Sequence, residues 1–82
     1  MIHDLKTIPE YYEAVRIGKK NFEVRKNDRD YKVGDALSLQ EYDPVEKRYT
    51  GRSIGFTVIY ILDNPEFVKE GYVIMGLGVV TE

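Results

Sequence analysis

Residues 17–35, IGKKNFEVRKNDRDYKVGD, contain the point at which the hydrophobic rhythm of this chain changes. Upstream, Ile8, Tyr11, Tyr12 and Val15 recur at helical spacing. Downstream, NFEVRK (21–26) alternates Phe22 and Val24 with Glu23 and Arg25, the period of a half-buried strand with its apolar residues inward. Between the two, Gly18 supplies a left-handed helix stop. Lys19 and Lys20 then fall at the negative end of the helix dipole, where a cation gains ~0.3–1 kcal/mol. The helix start is written in TIPE (7–10), with Thr7 as cap, Pro9 in the first turn and Glu10 completing a capping box. A helix of about ten residues follows, too short to be stable without packing.

Working outward, residues 2–6 read as a short strand before the helix. After it, KNDRD (26–30) is a polar turn, and YKVGD (31–35) a brief extended piece closed by a Gly34–Asp35 turn. ALSLQEY (36–42) alternates with Leu37 and Leu39 inward, and DPVEKRYTG (43–51) is a loop. The longest strand is RSIGFTVIYIL (52–62), with Ile54, Phe56, Val58, Tyr60 and Leu62 on one face and a bulge or close approach suggested by Gly55. DNPEFVKEG (63–71) is a turn region. YVIMGLGVV (72–80) closes the chain with Val73, Met75, Leu77 and Val79 on one side, while Gly76 and Gly78 leave the other side bare for packing. The pattern predicts an α+β, mainly β domain over residues 1–82: a small antiparallel β-barrel with one N-terminal helix.

Charge divides the chain. The window Arg16–Lys32 holds seven Lys and Arg against three acids, a formal +4, whereas the remainder holds five basic and eleven acidic residues, a formal −6. The absence of cysteine excludes disulfides and thiolate zinc sites, and a single histidine, His3, makes neither a metal site nor a triad unaided. No metal or cofactor is expected. No segment approaches the roughly 20 apolar residues of a membrane span, and the N-terminus lacks an apolar signal core, so a cytoplasmic location is expected. His3 reads as a hydrogen-bonded histidine, and Asp35 as a turn residue that bonds its own backbone.

The basic window also holds a candidate site. Glu23 and Arg25, two apart on a strand, share a face. Lys20 can join them only from the turn after Gly18, where the chain is still changing direction. An ammonium, a carboxylate and a guanidinium would then meet at the junction of helix and strand. The pattern Gly-x-Lys-x-x-Glu-x-Arg, formed by Gly18, Lys20, Glu23 and Arg25, resembles the signature of the ASCH domain family. The preceding helix, KVGD, ALSLQEYD and GYVIMGL occur in the same order, and the likeness is to the small stand-alone bacterial and phage members of the DUF3850 kind. The resemblance implies a PUA-like barrel that binds RNA, or a modified nucleoside or nucleotide, in a cleft between helix and barrel. The binding residues it implies are Lys20, Glu23 and Arg25, with Gly18 structural. Beside them the expected site includes Lys19 and Tyr31, and Gly34 as a turn residue. Arg25 can fork onto a phosphate or a base edge, Glu23 can accept from an amine or hydroxyl, and nearby tyrosines can stack on an unpaired base.

Two rival readings stand beside it. One branch of the superfamily resembles a small amidohydrolase acting on N4-acetylcytidine, for which Lys20 and Glu23 would be catalytic. That branch has a threonine nucleophile where Glu23 stands here. The other is a protein-interaction domain in which Glu23 and Arg25 merely pair, a contact worth ~0–1 kcal/mol if exposed.

Overall fold

A computed structural model of the chain describes residues 1–79 as five strands and one helix. In order these are β1 (Ile2–Thr7), α1 (Pro9–Arg16), β2 (Phe22–Lys26), β3 (Ala36–Asp43), β4 (Arg48–Leu62) and β5 (Tyr72–Val79). The expected continuation to Val80 lies outside the described residues. Gly18 takes φ +82° as the helix stop, and Gly34 turns the chain at φ +98°. The helix cap differs from expectation: Ile8 occupies the N-cap without a side-chain bond, and the Thr7 hydroxyl donates instead to the Leu5 carbonyl at 3.2 Å.

All five strands form one sheet in the order β1-β3-β4-β5-β2. The expected closed antiparallel barrel is corrected in two respects. First, β1 pairs with β3 in parallel. A parallel neighbour requires a crossover of a dozen or more residues, and the segment containing α1 and β2 supplies it. Second, no backbone pairing joins the edge strands β1 and β2 among the described residues, so the sheet curls into a half-barrel. The seam is bridged by side chains. Arg25 Nη1 donates to the Lys6 carbonyl at 3.0 Å and Arg29 Nη1 to the Asp4 carbonyl at 3.0 Å. Both carbonyls belong to the outward edge of β1, which would otherwise template association with another strand.

Leu5, Val15, Leu37, Leu39, Val58, Val73 and Met75 are buried together as the core, joined by Tyr31. The helix contributes Tyr12 and Val15 to the interior. On β2 the alternation is present but the face is inverted. Phe22 and Val24 are 45% and 48% exposed, while Glu23 is 3% exposed. A one-residue change of parity turns every side chain over, and here the polar set points inward because it finds partners there.

The longest strand is irregular in two places, at residues 50–52 opposite Glu41 and at Ile59, and not at Gly55. Val58 pairs with Leu77 and Tyr60 with Gly76, leaving Ile59 as the extra residue. Parity therefore shifts after Val58: Ile61 packs on the core and Tyr60 is exposed. The glycine face of β5 is covered by this bulge. A Cβ on Gly78 would meet Ile59 Cγ2 at 2.5 Å. We therefore expect Gly78→Ala to destabilise by about 1–3 kcal/mol through overpacking. In an Ile59→Ala background the same change should cost less than about 0.5 kcal/mol, a non-additivity read from a double-mutant cycle in denaturant. Equal costs in both backgrounds would show that Ile59 is not the obstacle.

Candidate functional site

The end of α1 sets the site. The Ala14 carbonyl accepts the amides of both Lys19 and Lys20 at 3.0 Å, and the left-handed Gly18 turns the chain so that Lys20 faces the start of β2. The Lys20 ammonium donates to Glu23 Oε1 at 2.6 Å and to the Phe22 carbonyl at 2.7 Å. Arg25 Nε donates to Glu23 Oε2 at 3.0 Å. Each oxygen of the buried carboxylate is thus held by a different cation, and this lets Glu23 be buried as a charge. Arg25 continues across the seam, its Nη2 donating to Thr7 Oγ1 at 3.1 Å.

These groups line a groove of about 800 Å³. One wall is α1 through Tyr11 and Ala14, and another is the end of β1 with Lys6, Thr7 and Ile8. The third is β2 from Phe22 to Arg25, with Lys19 and Lys20 at the turn. Two half-exposed rings stand beside the cluster: the Lys20 ammonium lies 5.7 Å from the Tyr11 centroid and 5.1 Å from that of Phe22.

The structure brings Lys20, Glu23, Arg25 and Lys19 together, as expected. Tyr31 is elsewhere. It is 6% exposed within the core and meets His3 edge-on at 4.8 Å, and burial raises the pKa of its phenol. The aromatic groups of the groove are Tyr11 and Phe22 instead. Thr7, read as a helix cap, and Phe22, read as core, carried no sequence signal for this role beyond their neighbours. Among the described residues, no cluster of three or more His, Asp or Glu side chains could hold a metal ion, and no helix is long and apolar enough to cross a membrane.

Two further polar clusters anchor the fold. His3 Nε2 lies 2.8 Å from Asp35 Oδ2, which also accepts the Lys32 amide at 3.1 Å. Arg52 forks onto Glu41 at 3.0 and 3.1 Å, with Thr50 donating at 2.7 Å. The His3 hydrogen bond holds the Asp35 carboxyl below its usual range, and the Arg52 guanidinium does the same for Glu41.

The sequence profile described as "Domain of unknown function (DUF3850)" matches residues 2–77. The chain belongs to the DUF3850 family. A protein of Escherichia phage P2, described as "Uncharacterized 12.9 kDa protein in GpA 3'region", is 36% identical over 74 residues. The match covers 90% of this DUF3850 chain and 65% of the phage protein, so the chain spans somewhat under two thirds of that relative.

Within this DUF3850 domain, Arg25→Ala should destabilise by about 2–4 kcal/mol, because it removes one partner of a buried carboxylate and two bonds across the seam. Lys20→Ala should cost less, about 1–2 kcal/mol. Arg25→Lys should recover little, since the donors of an ammonium sit on one nitrogen and cannot span the three separate acceptors that the guanidinium meets with its three nitrogens. Urea denaturation checks the ranking, and a Lys20→Ala cost equal to or above that of Arg25→Ala would contradict it.

Acid sensitivity follows from Asp35 and Glu41. Both carboxyls titrate lower in the folded chain than in the unfolded one, so their contribution is complete above the unfolded values of 3.8 and 4.5. It is lost as pH falls through the lower folded values. Asp35→Asn and Glu41→Gln should each flatten the decline of stability below about pH 4.5. Unchanged slopes in denaturant titrations between pH 5 and 2 (roughly the window of these groups) would refute the assignment.

Proposed function

We propose that this domain is an ASCH-type, PUA-like module that binds RNA, or a nucleotide drawn from it, non-covalently in the groove between α1 and β2. The observation that carries the reading is the convergence of Lys20, Glu23 and Arg25 beside two half-exposed rings, Tyr11 and Phe22, in one open groove. A cationic cluster suits a phosphate, and rings at the rim suit the face of an unpaired base, each stacked base being worth ~1–3 kcal/mol. The Gly18-to-Arg25 motif supports the same placement, since its charged members meet as that resemblance implies.

The hydrolase reading draws less support. Both Glu23 oxygens are already engaged within the protein, one by Lys20 and the other by Arg25, so the carboxylate is not presented free to an attacking water. The Thr7 hydroxyl, beside Arg25, directs its proton to the Leu5 carbonyl. The interaction-domain reading explains the buried carboxylate but leaves the groove without an occupant.

Binding is tested by fluorescence anisotropy with labelled single-stranded RNA hexamers of each base. Few phosphate contacts are expected, giving a log–log salt slope of about −1 to −3. Tyr11→Ala should weaken binding by about 5- to 100-fold through lost stacking, and Lys20→Ala should make the slope shallower by about one. A slope near zero, or a Tyr11→Ala/Lys20→Ala double variant that binds like wild type, would overturn the proposal. Acetate release from N4-acetylcytidine would favour the hydrolase, and a co-purifying protein in place of nucleic acid the interaction domain.

A further inference from the structure

Edge strand β2 contains one residue whose main-chain hydrogen bonds go nowhere. In the β2–β5 ladder the Asn27 amide donates to the Gly71 carbonyl at 2.8 Å and the Leu77 amide to the Asn21 carbonyl at 3.0 Å. Antiparallel pairs alternate between bonded and non-bonded, so Asn21, Glu23, Arg25 and Asn27 face β5. Phe22, Val24 and Lys26 turn their N–H and C=O groups to the open edge. The Phe22 carbonyl is taken by Lys20 and the Lys26 carbonyl by the Asp28 amide. Val24 has no such partner: among the described residues neither its N–H nor its C=O is bonded, and it lines the groove between Glu23 and Arg25. Free main-chain groups in a groove are met by water or by a ligand.

Resting on the nucleotide-binding reading above, the geometry points to the main chain of Val24 as the group that reads the ligand, through hydrogen bonds to the Watson–Crick edge of one unpaired base. The N–H and C=O of an extended edge residue form an adjacent donor and acceptor. The Watson–Crick edge of every base offers a complementary pair: a ring nitrogen and amine in adenine and cytosine, a carbonyl and ring N–H in uracil and guanine. An added peptide strand fits less well, because a ladder uses alternate residues along an edge and the carbonyls on both sides of Val24 are already occupied. Two properties follow. The ligand must be single-stranded, since pairing hides that edge. Discrimination among the four bases is weak, yet a methyl on the Watson–Crick ring nitrogen is rejected.

The test uses hexa-uridylate and the same hexamer built from N3-methyluridine, with Val24→Pro and Val24→Ala variants. Proline removes an N–H that the ladder does not use, so an edge strand tolerates it; circular dichroism and urea melting confirm folding. Wild type should prefer the unmethylated hexamer about tenfold, Val24→Pro should bind it about tenfold more weakly, and Val24→Ala should stay within about threefold. Amide hydrogen exchange on wild type provides a reading that needs no variant. The Val24 amide should exchange faster than those of Glu23 and Arg25 in the free protein and slow at saturating hexa-uridylate. Tight binding by folded Val24→Pro, or an unchanged Val24 exchange rate at saturation, would overturn this inference and leave groove binding intact. Failure of wild type to bind any hexamer would remove both.

Discussion

One guanidinium spans the gap on which the architecture depends. Arg25 leaves β2, holds Glu23 of its own strand through Nε, and reaches the opposite edge of the sheet at the Lys6 carbonyl and Thr7 hydroxyl. Backbone ladders require strands about 4.8 Å apart, and a side chain of this length keeps β1 and β2 farther apart than that. The half-barrel is therefore held together at its seam without being closed. Arg29, donating to the Asp4 carbonyl, repeats the seam contact two residues back along β1. Only arginine offers several donors fixed in a plane, so it can satisfy a carboxylate and two unrelated acceptors at once.

The groove is a direct consequence of that open seam. Had β1 and β2 paired, the main-chain groups of Phe22 and Val24 would be consumed in the ladder and the space beside α1 would close. Instead α1, placed within the crossover from β1 to β3, covers part of the opening and brings Tyr11 to its rim. Fold and candidate site are the same feature seen at two scales.

Much of this was legible in the sequence wherever the constraint is local. The Gly18 stop, the Gly34–Asp35 turn and the inward Leu37 and Leu39 each follow from a few adjacent residues, and the structure places them as read. The face of β2 was misread because binary patterning assigns apolar residues inward. The same segment held the contrary signal: a carboxylate flanked by Lys20 and Arg25 and meeting them in a cleft cannot also lie on the solvent face. The two readings conflict, and satisfied charge outweighs the ordinary preference. The bulge at Ile59 left no trace because Val58, Ile59, Tyr60 and Ile61 are apolar on both parities, so a slipped residue does not disturb the pattern. The parallel β1–β3 pair was hidden for another reason. It joins segments separated by the whole crossover, and nothing in either strand names its partner.

The ion cluster itself calls for a reason beyond stability. Well-packed apolar side chains in place of a buried ion pair are often as stable or more so, and an apolar seam would have closed the sheet. Residual donor capacity supplies a physical account. An ammonium has three N–H bonds and a guanidinium five; Lys20 uses two and Arg25 three on the protein. The remaining donors belong to side chains already fixed in place by Glu23, so a ligand that meets them need not order them first. Glu23 also cancels one positive charge, leaving the trio at a formal +1. On the binding reading that residue of charge matches a single phosphodiester better than a polyanion, and it lets an acidic domain hold one nucleotide unit without attracting nucleic acid at large.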